Sequence, residues 1–391
     1  IVDVQSLHLG YSSIHDLTGL EGFLSLDTLS ISELQNSDIS YLDMSLVPWL
    51  KYLDCYNQNG QIDSINLSQN TDLQFLDASG NTITDLDLSN NTMLEYLTCN
   101  FNQISDIDLS NNLLLKDISM SYNSLTSLDL AFNDSLNALG CSWNAITELD
   151  LSNKPNLEFI FCEDNTLSVL ELSNAPELVR VWCTGNQISE LDMLNKPNLE
   201  QLMAGDNLLT SLDLSSCGSL IWIWLYSNQL FGLNVANGLN AYMAGFPGGG
   251  IEYIPNFTDN PNLTCITVDN VEHSTEWWNT EGYPIFNNPN GYVSIDSSMY
   301  FSSDCASAIH ELTSETVLIY PNPATNYITI DLRGIEETHT ILKIYDLSGK
   351  VVFEKRSTST TTLDVSDFAK GVYTFEVSNS DKVVRRKVVL D

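Results

Sequence analysis

A repeat of 21 residues runs through the middle of the chain without a break. Three columns of residues recur at this spacing over eight copies: one of asparagine, one of leucine, and one of isoleucine or leucine. A constant spacing of this length is typical of a solenoid, in which each copy packs only against its two neighbours. The three columns are Asn81, Asn102, Asn123, Asn144, Asn165, Asn186, Asn207 and Asn228; Leu73, Leu94, Leu115, Leu136, Leu157, Leu178, Leu199 and Leu220; and Ile83, Ile104, Leu125, Ile146, Leu167, Ile188, Leu209 and Leu230.

Each copy holds two short alternating segments, and each segment predicts a β-strand. Alternation places two side chains inward and one outward, as Leu86 and Leu88 illustrate for the second segment. Two strands leave too little of the repeat for a ten-residue helix. We therefore expect parallel strands on both faces and very little helix. We expect the asparagine column to bond the backbone of its own turn and of the adjacent coil, a structural role.

The repeated pattern LxxLxLxxNxI resembles the leucine-rich-repeat family, and most of all its short bacterial class, over residues 1–270. This resemblance implies a mainly β solenoid. Residues 271–305 leave the repeat and look like the cap that ends similar secreted proteins. A disulfide between Cys265 and Cys305 would staple that cap and suits an oxidising compartment, the alternative being two unpaired thiols. A column of further cysteines is expected to remain free, because in-register parallel strands give poor disulfide geometry: Cys99, Cys141, Cys162 and Cys183.

The charge divides the chain into two regions. Residues 1–313 hold five basic and forty acidic side chains, whereas residues 314–391 hold ten and eleven. Such an acidic surface repels phosphate backbones and anionic lipid, so nucleic-acid and membrane-surface roles are excluded. No apolar run is long enough for a membrane span. The chain opens inside a repeat without an initiator Met, so we expect a processed or trimmed protein.

The last region carries three short motifs: Tyr320-Pro321-Asn322-Pro323, a hairpin turn at Ser348-Gly349, and a strand opening at Gly371-Val372-Tyr373. They resemble the type A sorting domain of the type IX secretion system. This resemblance implies a small immunoglobulin-like β-sandwich at residues 317–391, recognised by the type IX translocon, after a linker at 306–316. It also implies a secreted or cell-surface protein on the exterior of a Gram-negative bacterium. The alternative interpretation is a plain immunoglobulin-like stalk.

Large aromatic side chains recur at outward positions of the first predicted strand. Leu, Ile and Cys already fill the inward positions, so these rings are surplus to the core, and an exposed aromatic patch normally marks an interaction site. We expect a protein or polysaccharide ligand on this concave face. The alternative is that a neighbouring segment, such as residues 244–250, covers the patch. The candidate ligand-binding residues are Trp143, Phe159, Phe161, Trp182, Met203, Trp222, Trp224 and Tyr226.

Carboxylates form a column on the opposite, convex side. We expect a solvated face there with at most weak Ca²⁺ binding, since hard oxygen ligands suit calcium but no glycine-rich turn wraps an ion. An alternative function is therefore a structural or adhesive surface protein with calcium bridging. The five histidines are scattered and no catalytic motif is present, so the sequence predicts no enzyme and no cofactor. The carboxylate column is Asp87, Asp108, Asp129, Asp150, Glu171, Asp192 and Asp213.

Overall fold

A computed structural model of the chain describes residues 3–33, 38–56, 60, 62–238, 255–277, 295–296, 299–305, 318–320, 324, 326–331, 340–346, 350–357, 361–366, 368–378 and 383–390. The chain divides into two compact units, Ile1–Ser303 and Asp304–Asp391. The predicted linker at 306–316 and the segment at 244–250 lie outside the described residues.

Eleven parallel strands form one continuous sheet, here called the long sheet. Each strand is three residues long and pairs in register with the strand of the next coil. From the second strand onward the middle residue is buried and the first and third point away from the core, as the alternation predicts. The strands are Ser6–His8, Thr28–Ser30, Tyr52–Asp54, Phe75–Asp77, Tyr96–Thr98, Asp117–Ser119, Ala138–Gly140, Phe159–Phe161, Arg180–Trp182, Gln201–Met203 and Trp222–Trp224.

Strands on the second face are parallel too, but they form separate short sheets. Tyr41–Asp43 pairs with Ser64–Asn66, and Glu148–Asp150 pairs with Val169–Glu171. Four more strands form a third sheet: Ser211–Asp213, Gly232–Asn234, Cys265–Thr267 and Tyr300–Ser302. The prediction of parallel strands on both faces is therefore confirmed, although residues 86–88, 107–109 and 128–130 of the second segment carry no strand.

Little of the described chain is helical, as predicted. One α-helix covers Val271–Trp277, and 3-10 helices cover Leu20–Gly22 and Met44–Leu46. The leucine and isoleucine columns fill the interior of the coils; every member is at most 1 % exposed. No described helix has the length and apolar character that a membrane crossing requires.

The asparagine column, here called the first amide column, uses both ends of its side-chain amides. The Asn102 Nδ2 donates to the carbonyls of Ala78 in the previous coil (2.9 Å) and Cys99 in its own coil (3.2 Å). The Oδ1 of Asn102 accepts from the Ile83 N–H at 3.0 Å. All eight members accept a backbone N–H in this way. The column thus joins successive coils, which confirms its structural role.

A second amide column, absent from the sequence-based expectations, lies at the turns before the long-sheet strands. Its Nδ2 atoms donate to carbonyls, as Asn112 does to Leu88 (3.1 Å) and Asn91 (2.9 Å). Its Oδ1 atoms are buried and have no partner in the described part of the chain. The next four coils replace the asparagine with Lys154, Ala175, Lys196 and Cys217, all buried. The asparagines of this column are Asn70, Asn91, Asn112 and Asn133.

The cysteines separate into two groups, as the sequence predicts. Cys265 and Cys305 are disulfide-bonded. The others described are free and buried, and burial raises the pKa of the Cys141 and Cys183 thiols to about 12. Because the thiolate is the reactive form, these thiols are unreactive in the folded protein. The free cysteines are Cys55, Cys99, Cys141, Cys162, Cys183 and Cys217.

The second unit contains seven described strands in two antiparallel sheets. Its core includes Ile328, Ile344, Phe375 and Val377, each at most 1 % exposed. This arrangement is compatible with the predicted small β-sandwich. One sheet contains Leu318–Tyr320, Tyr327–Asp331 and Thr361–Asp364, and the other contains Thr340–Tyr345, Val351–Ser357, Gly371–Ser378 and Val383–Leu390.

Candidate functional site

The outer face of the long sheet carries two columns of side chains, one from the first and one from the third residue of each strand. Because the strands pair in register, the backbones of neighbouring members of a column lie about 4.8 Å apart across the sheet. The column of first residues is Tyr52, Phe75, Tyr96, Asp117, Ala138, Phe159, Arg180, Gln201 and Trp222, and the column of third residues is Asp54, Asp77, Thr98, Ser119, Gly140, Phe161, Trp182, Met203 and Trp224.

Aromatic rings cluster on the last four strands of this face. The rings of Phe161 and Trp182 meet edge to face, with centroids 4.9 Å apart, and those of Trp224 and Tyr226 do so at 6.4 Å. Phe161, Trp182, Trp224 and Tyr226 are all half-buried, as is Phe159. Edge-to-face contact leaves part of each ring face open to a ligand. We call these five residues the aromatic patch.

Two of the predicted surface residues are instead buried. Met203 is 8 % exposed and Trp222 is 9 % exposed, contrary to the expectation that both face solvent. Trp222 meets the rings of Trp182 and Trp224 on two sides, at 6.1 and 5.5 Å. Met203 pairs in register between the same two tryptophans. Neighbouring large rings therefore flank both side chains on the outer face of the sheet.

Unsatisfied polar atoms lie within the same strands. Arg180 Nε, Trp182 Nε1 and Gln201 Oε1 are buried and lack a hydrogen-bond partner among the residues the structure describes. The Arg180 guanidinium lies over the Phe159 ring, 5.6 Å from its centroid. Buried polar groups without partners are uncommon in proteins, so these three atoms are unsatisfied hydrogen-bonding groups within the face.

Acidic side chains border the patch. Burial raises the pKa of Glu163, although the Ser142 hydroxyl donates to its carboxylate. Burial and the charge of Asp206 raise the pKa of Asp164. Burial raises the pKa of the Tyr226 hydroxyl, and Asp206 adds to this shift. The border is thus acidic and partly desolvated, which favours ligands that donate hydrogen bonds.

Trp143 lies apart from the patch, in a stack that the sequence did not reveal. Its ring stacks on that of Tyr122 at 5.3 Å, and Tyr122 stacks on Phe101 at 4.3 Å. The three rings are 50, 42 and 56 % exposed in that order. We call Phe101, Tyr122 and Trp143 the turn stack. The available signal was their shared column, one coil apart, in which the flanking repeats place Gly80 and Asp164.

All three residues of the turn stack adopt a left-handed backbone, with φ of 55°, 57° and 57°. This conformation suits Gly, Asn or Asp and costs about 1 kcal/mol or more for a bulky residue. Large, exposed rings at strained positions contribute little to a core. The same turn position is left-handed in later coils, at Asp164, Asp206 and Ser227, so the conformation belongs to the repeat and only the rings are particular to these three coils.

The carboxylate column of the second face is engaged in local hydrogen bonds. The Oδ1 atoms of Asp87, Asp108, Asp129 and Asp150 each accept the backbone N–H two residues later, at 2.9 Å. Bonds from the serine at that position lower the pKa of Asp87, Asp108 and Asp150. No group of three or more potential metal ligands occurs in the described ranges. The structure thus gives these weak calcium candidates a local role in shaping turns.

Comparison with known proteins agrees with this architecture. Residues 318–391 match the family of secretion system C-terminal sorting domains. The fold is similar to that of the functional domain of InlJ from Listeria monocytogenes, described as including a cysteine ladder (TM-score 0.54, 20 % identity, covering 99 % of this chain and 90 % of that one). It is also similar to the leucine-rich effector protein YopM from Yersinia pestis (TM-score 0.47, 19 % identity, covering 76 % and 88 %). No curated protein matches the chain.

The sorting domain implies handling by the type IX secretion machinery, and the predicted resemblance to this domain is confirmed. The stacked parallel coils have the fold of the leucine-rich-repeat protein InlJ. The chain therefore joins a solenoid with the fold of InlJ to a C-terminal region that matches the sorting-domain family, and this region implies secretion.

Proposed function

We propose that this protein is a non-catalytic recognition module that binds a protein or polysaccharide ligand through the aromatic patch on the concave face of its solenoid. The observation that carries the proposal is the half-exposed ring cluster built around Phe161, Trp182 and Trp224. The inward columns already fill the interior of the coils, so these rings are available for a partner.

The chemistry of the patch supports a ligand with both apolar and polar groups. Ring faces bind apolar surface, including the C–H faces of sugars and the side chains of a protein. Arg180 Nε, Trp182 Nε1 and Gln201 Oε1 are buried without partners, so a ligand that displaces the side chains covering them would meet two donors and an acceptor. Glu163 and Asp206 add acceptors at the border. Such a mixture of a ring surface and a few placed polar groups is typical of specific sites.

The sorting domain supports a proposal about where recognition occurs. We propose that the type IX translocon exports the chain by engaging residues 317–391, and that the solenoid acts on the exterior of a Gram-negative outer membrane. Ligands at that location are the surface proteins and polysaccharides of neighbouring cells or of the surrounding matrix.

The test combines a glycan array with a panel of purified matrix proteins, probed with the full chain and with a Trp182→Ala/Trp224→Ala variant. We expect the variant to lose the ligands that the parent binds, about a hundredfold or more, as for two central aromatic residues of an interface. Trp49→Ala is the matched control, because Trp49 is 46 % exposed and lies outside the patch.

The proposal fails if the patch variant keeps full binding, or if it unfolds under conditions in which the Trp49→Ala protein is folded, since the rings would then belong to the core. Adding a calcium chelator separates the alternative function. Loss of binding on chelation, with no effect of the patch variant, indicates calcium bridging through the acidic face.

A further inference from the structure

A strip of small residues interrupts the aromatic side chains of the long sheet. Tyr96, Asp117, Ala138 and Phe159 pair in register on four successive strands. The backbones of Tyr96 and Phe159 are therefore about 14 Å apart. Between these two rings, only a carboxylate and a methyl group rise from the sheet. We call Asp117, Ser119, Ala138 and Gly140 the central strip.

The floor of the central strip is polar and closely packed. Gly140 is buried, and a Cβ added to it would lie 3.3 Å from the Ser119 Oγ. The Ser119 hydroxyl donates to Asn100 Oδ1 at 3.0 Å, and the Ser121 N–H donates to the same oxygen at 2.7 Å. These groups satisfy one another. The floor thus leaves the Asp117 carboxylate as its principal free acceptor.

Asp117 is half-buried and raises a physical problem. Its carboxylate accepts no hydrogen bond and forms no ion pair with the described residues. Burial alone raises the pKa of this carboxyl, with no compensation from a nearby cation. The adjacent Lys116 is engaged with Glu95 at 2.6 Å, and Arg180 lies over Phe159. A desolvated carboxylate without a partner costs stability, which a bound donor would restore.

The charge of the solenoid indicates which donor fits. Residues 1–313 hold five basic and forty acidic side chains. Such a field concentrates cations near the surface and gives no advantage to a neutral ligand. Tyr96 and Phe159 flank the carboxylate, and aromatic faces attract ammonium and guanidinium groups. Arg180 over the Phe159 ring is an example of this packing in the same column.

The turn stack adds apolar surface where the strip ends. Tyr122 and Trp143 follow the strands Asp117–Ser119 and Ala138–Gly140 in the same two coils. Their rings are exposed and stacked, and their backbones are strained. The two rings thus extend the exposed surface beyond the C-terminal ends of these strands.

We propose that the central strip binds a lysine- or arginine-containing segment of a protein partner, with Asp117 accepting from the cationic group and with Tyr96 and Phe159 on either side of it. This inference rests on the proposed function, because it assigns one class of ligand to the same sheet. The strip lies on the N-terminal side of the aromatic patch and shares only Phe159 with it, so mutations at Asp117 and at Trp182 and Trp224 separate the two sites.

The test measures fluorescence anisotropy of a labelled tetra-arginine peptide with the full chain at low and at physiological salt. Tetra-citrulline, which has nearly the same shape but no charge, serves as the neutral probe. Asp117→Asn is expected to weaken tetra-arginine binding about tenfold or more, as for a desolvated charge pair. Asp108→Asn removes the same charge from the second face and is expected to change binding less than twofold.

Equal losses in these two variants would overturn the proposal, because binding would then follow net charge alone. Equal binding of tetra-citrulline, or no binding of tetra-arginine at low salt, would overturn it as well. Saccharide binding that Asp117→Asn abolishes while tetra-arginine does not bind assigns the strip to a polysaccharide instead.

A second pair of variants keeps the test decisive if Asp117→Asn folds poorly. Ala138→Arg fills the strip with a guanidinium beside Asp117 and is expected to abolish tetra-arginine binding. Val169→Arg adds the same charge at an exposed position of the second face and is expected to preserve it. If Trp182→Ala/Trp224→Ala abolishes ligand binding while tetra-arginine never binds, the strip proposal fails and the proposed function stands. If tetra-arginine binds and Trp182→Ala/Trp224→Ala leaves ligand binding unchanged, the strip proposal stands and the aromatic-patch function fails.

Discussion

The two amide columns of the solenoid are built from the same residue type, yet only one keeps it. The first amide column holds asparagine in eight successive coils, whereas the second changes after four coils to Lys154, Ala175, Lys196 and Cys217. In the first column each amide donates to carbonyls and accepts a backbone N–H. In the second column the amides donate, but their Oδ1 atoms have no partner in the described chain.

The number of groups that a side chain must satisfy therefore decides what can replace it. A lysine supplies donors only, so it can stand where the amide oxygen is unused but not where a backbone N–H depends on that oxygen. Lys154 acts as such a donor. Its side chain is 3 % exposed, and its Nζ lies 3.4 Å from the Asp134 Oδ1. Outward positions of the long sheet have no such obligations, and their residues vary from coil to coil.

Placing a donor-only side chain in the first column should give the largest effect. Asn165 accepts from the Ile146 N–H at 3.0 Å and donates to the carbonyl of Cys141. Asn165→Lys leaves that N–H buried without an acceptor and crowds the turn, so we expect a loss of about 3 kcal/mol or more in the free energy of unfolding. Urea unfolding followed by circular dichroism measures it. A loss below 1 kcal/mol would show that the oxygen is dispensable.

The same substitution in the second column should be much milder. Asn112→Lys keeps a donor near the carbonyls of Leu88 and Asn91 and leaves no N–H without an acceptor. We expect a loss of about 1 kcal/mol, mostly from fitting the longer chain. Urea unfolding under the same conditions makes the two columns comparable. A loss as large as that of Asn165→Lys would erase the distinction between them.

The smallest expected effect concerns Asp117 on the outer face of the long sheet, where the substitution should raise the free energy of unfolding. Burial raises the pKa of Asp117 in the folded state, so ionisation of this group opposes folding. Asp117→Asn should therefore stabilise the protein at neutral pH. The gain should vanish as the pH falls below the ordinary carboxyl value of 3.8, where the group is protonated in both states. Thermal melting across this pH range measures the difference.

Asp108→Asn is the control for that measurement. Bonds from Ser110 lower the pKa of Asp108, so ionisation favours folding and the substitution should destabilise the protein slightly at neutral pH. A destabilising Asp117→Asn would mean that its carboxylate already has a partner in the folded chain.

Much of the fold could be predicted because the repeat gives each inward position the same neighbours in every coil. The first amide column and the buried leucines follow from spacing alone. The second amide column was missed because its role passes to Lys154 and Lys196, and similarity of residue type no longer marks it. The intermittent strands of the second face depend on local backbone pairing that the Leu86–Leu88 pattern does not encode.

For the candidate site, the sequence predicts only which side chains point outward from the coil. Alternation shows that Trp222 and Met203 point out of the coil, but their burial depends on how the rings of Trp182 and Trp224 pack around them. The turn stack depends on the positive φ of Phe101, Tyr122 and Trp143. Aromatic residues rarely adopt this conformation, so the residue types at these positions do not predict it. The outward residues differ from coil to coil, so the repeat does not determine the contacts between their side chains.

The most direct test of the account is a pair of alanine substitutions measured side by side. Asn186→Ala leaves the Leu167 N–H without its acceptor, although the Cys162 and Cys183 carbonyls keep bonds from Asn165 and Asn207. Asn133→Ala removes only donated bonds, as Ala175 does naturally. We predict losses in unfolding free energy of about 3 and about 1 kcal/mol. Equal losses, or a larger loss for Asn133→Ala, would contradict the claim that the unsatisfied partners of an inward side chain determine its identity.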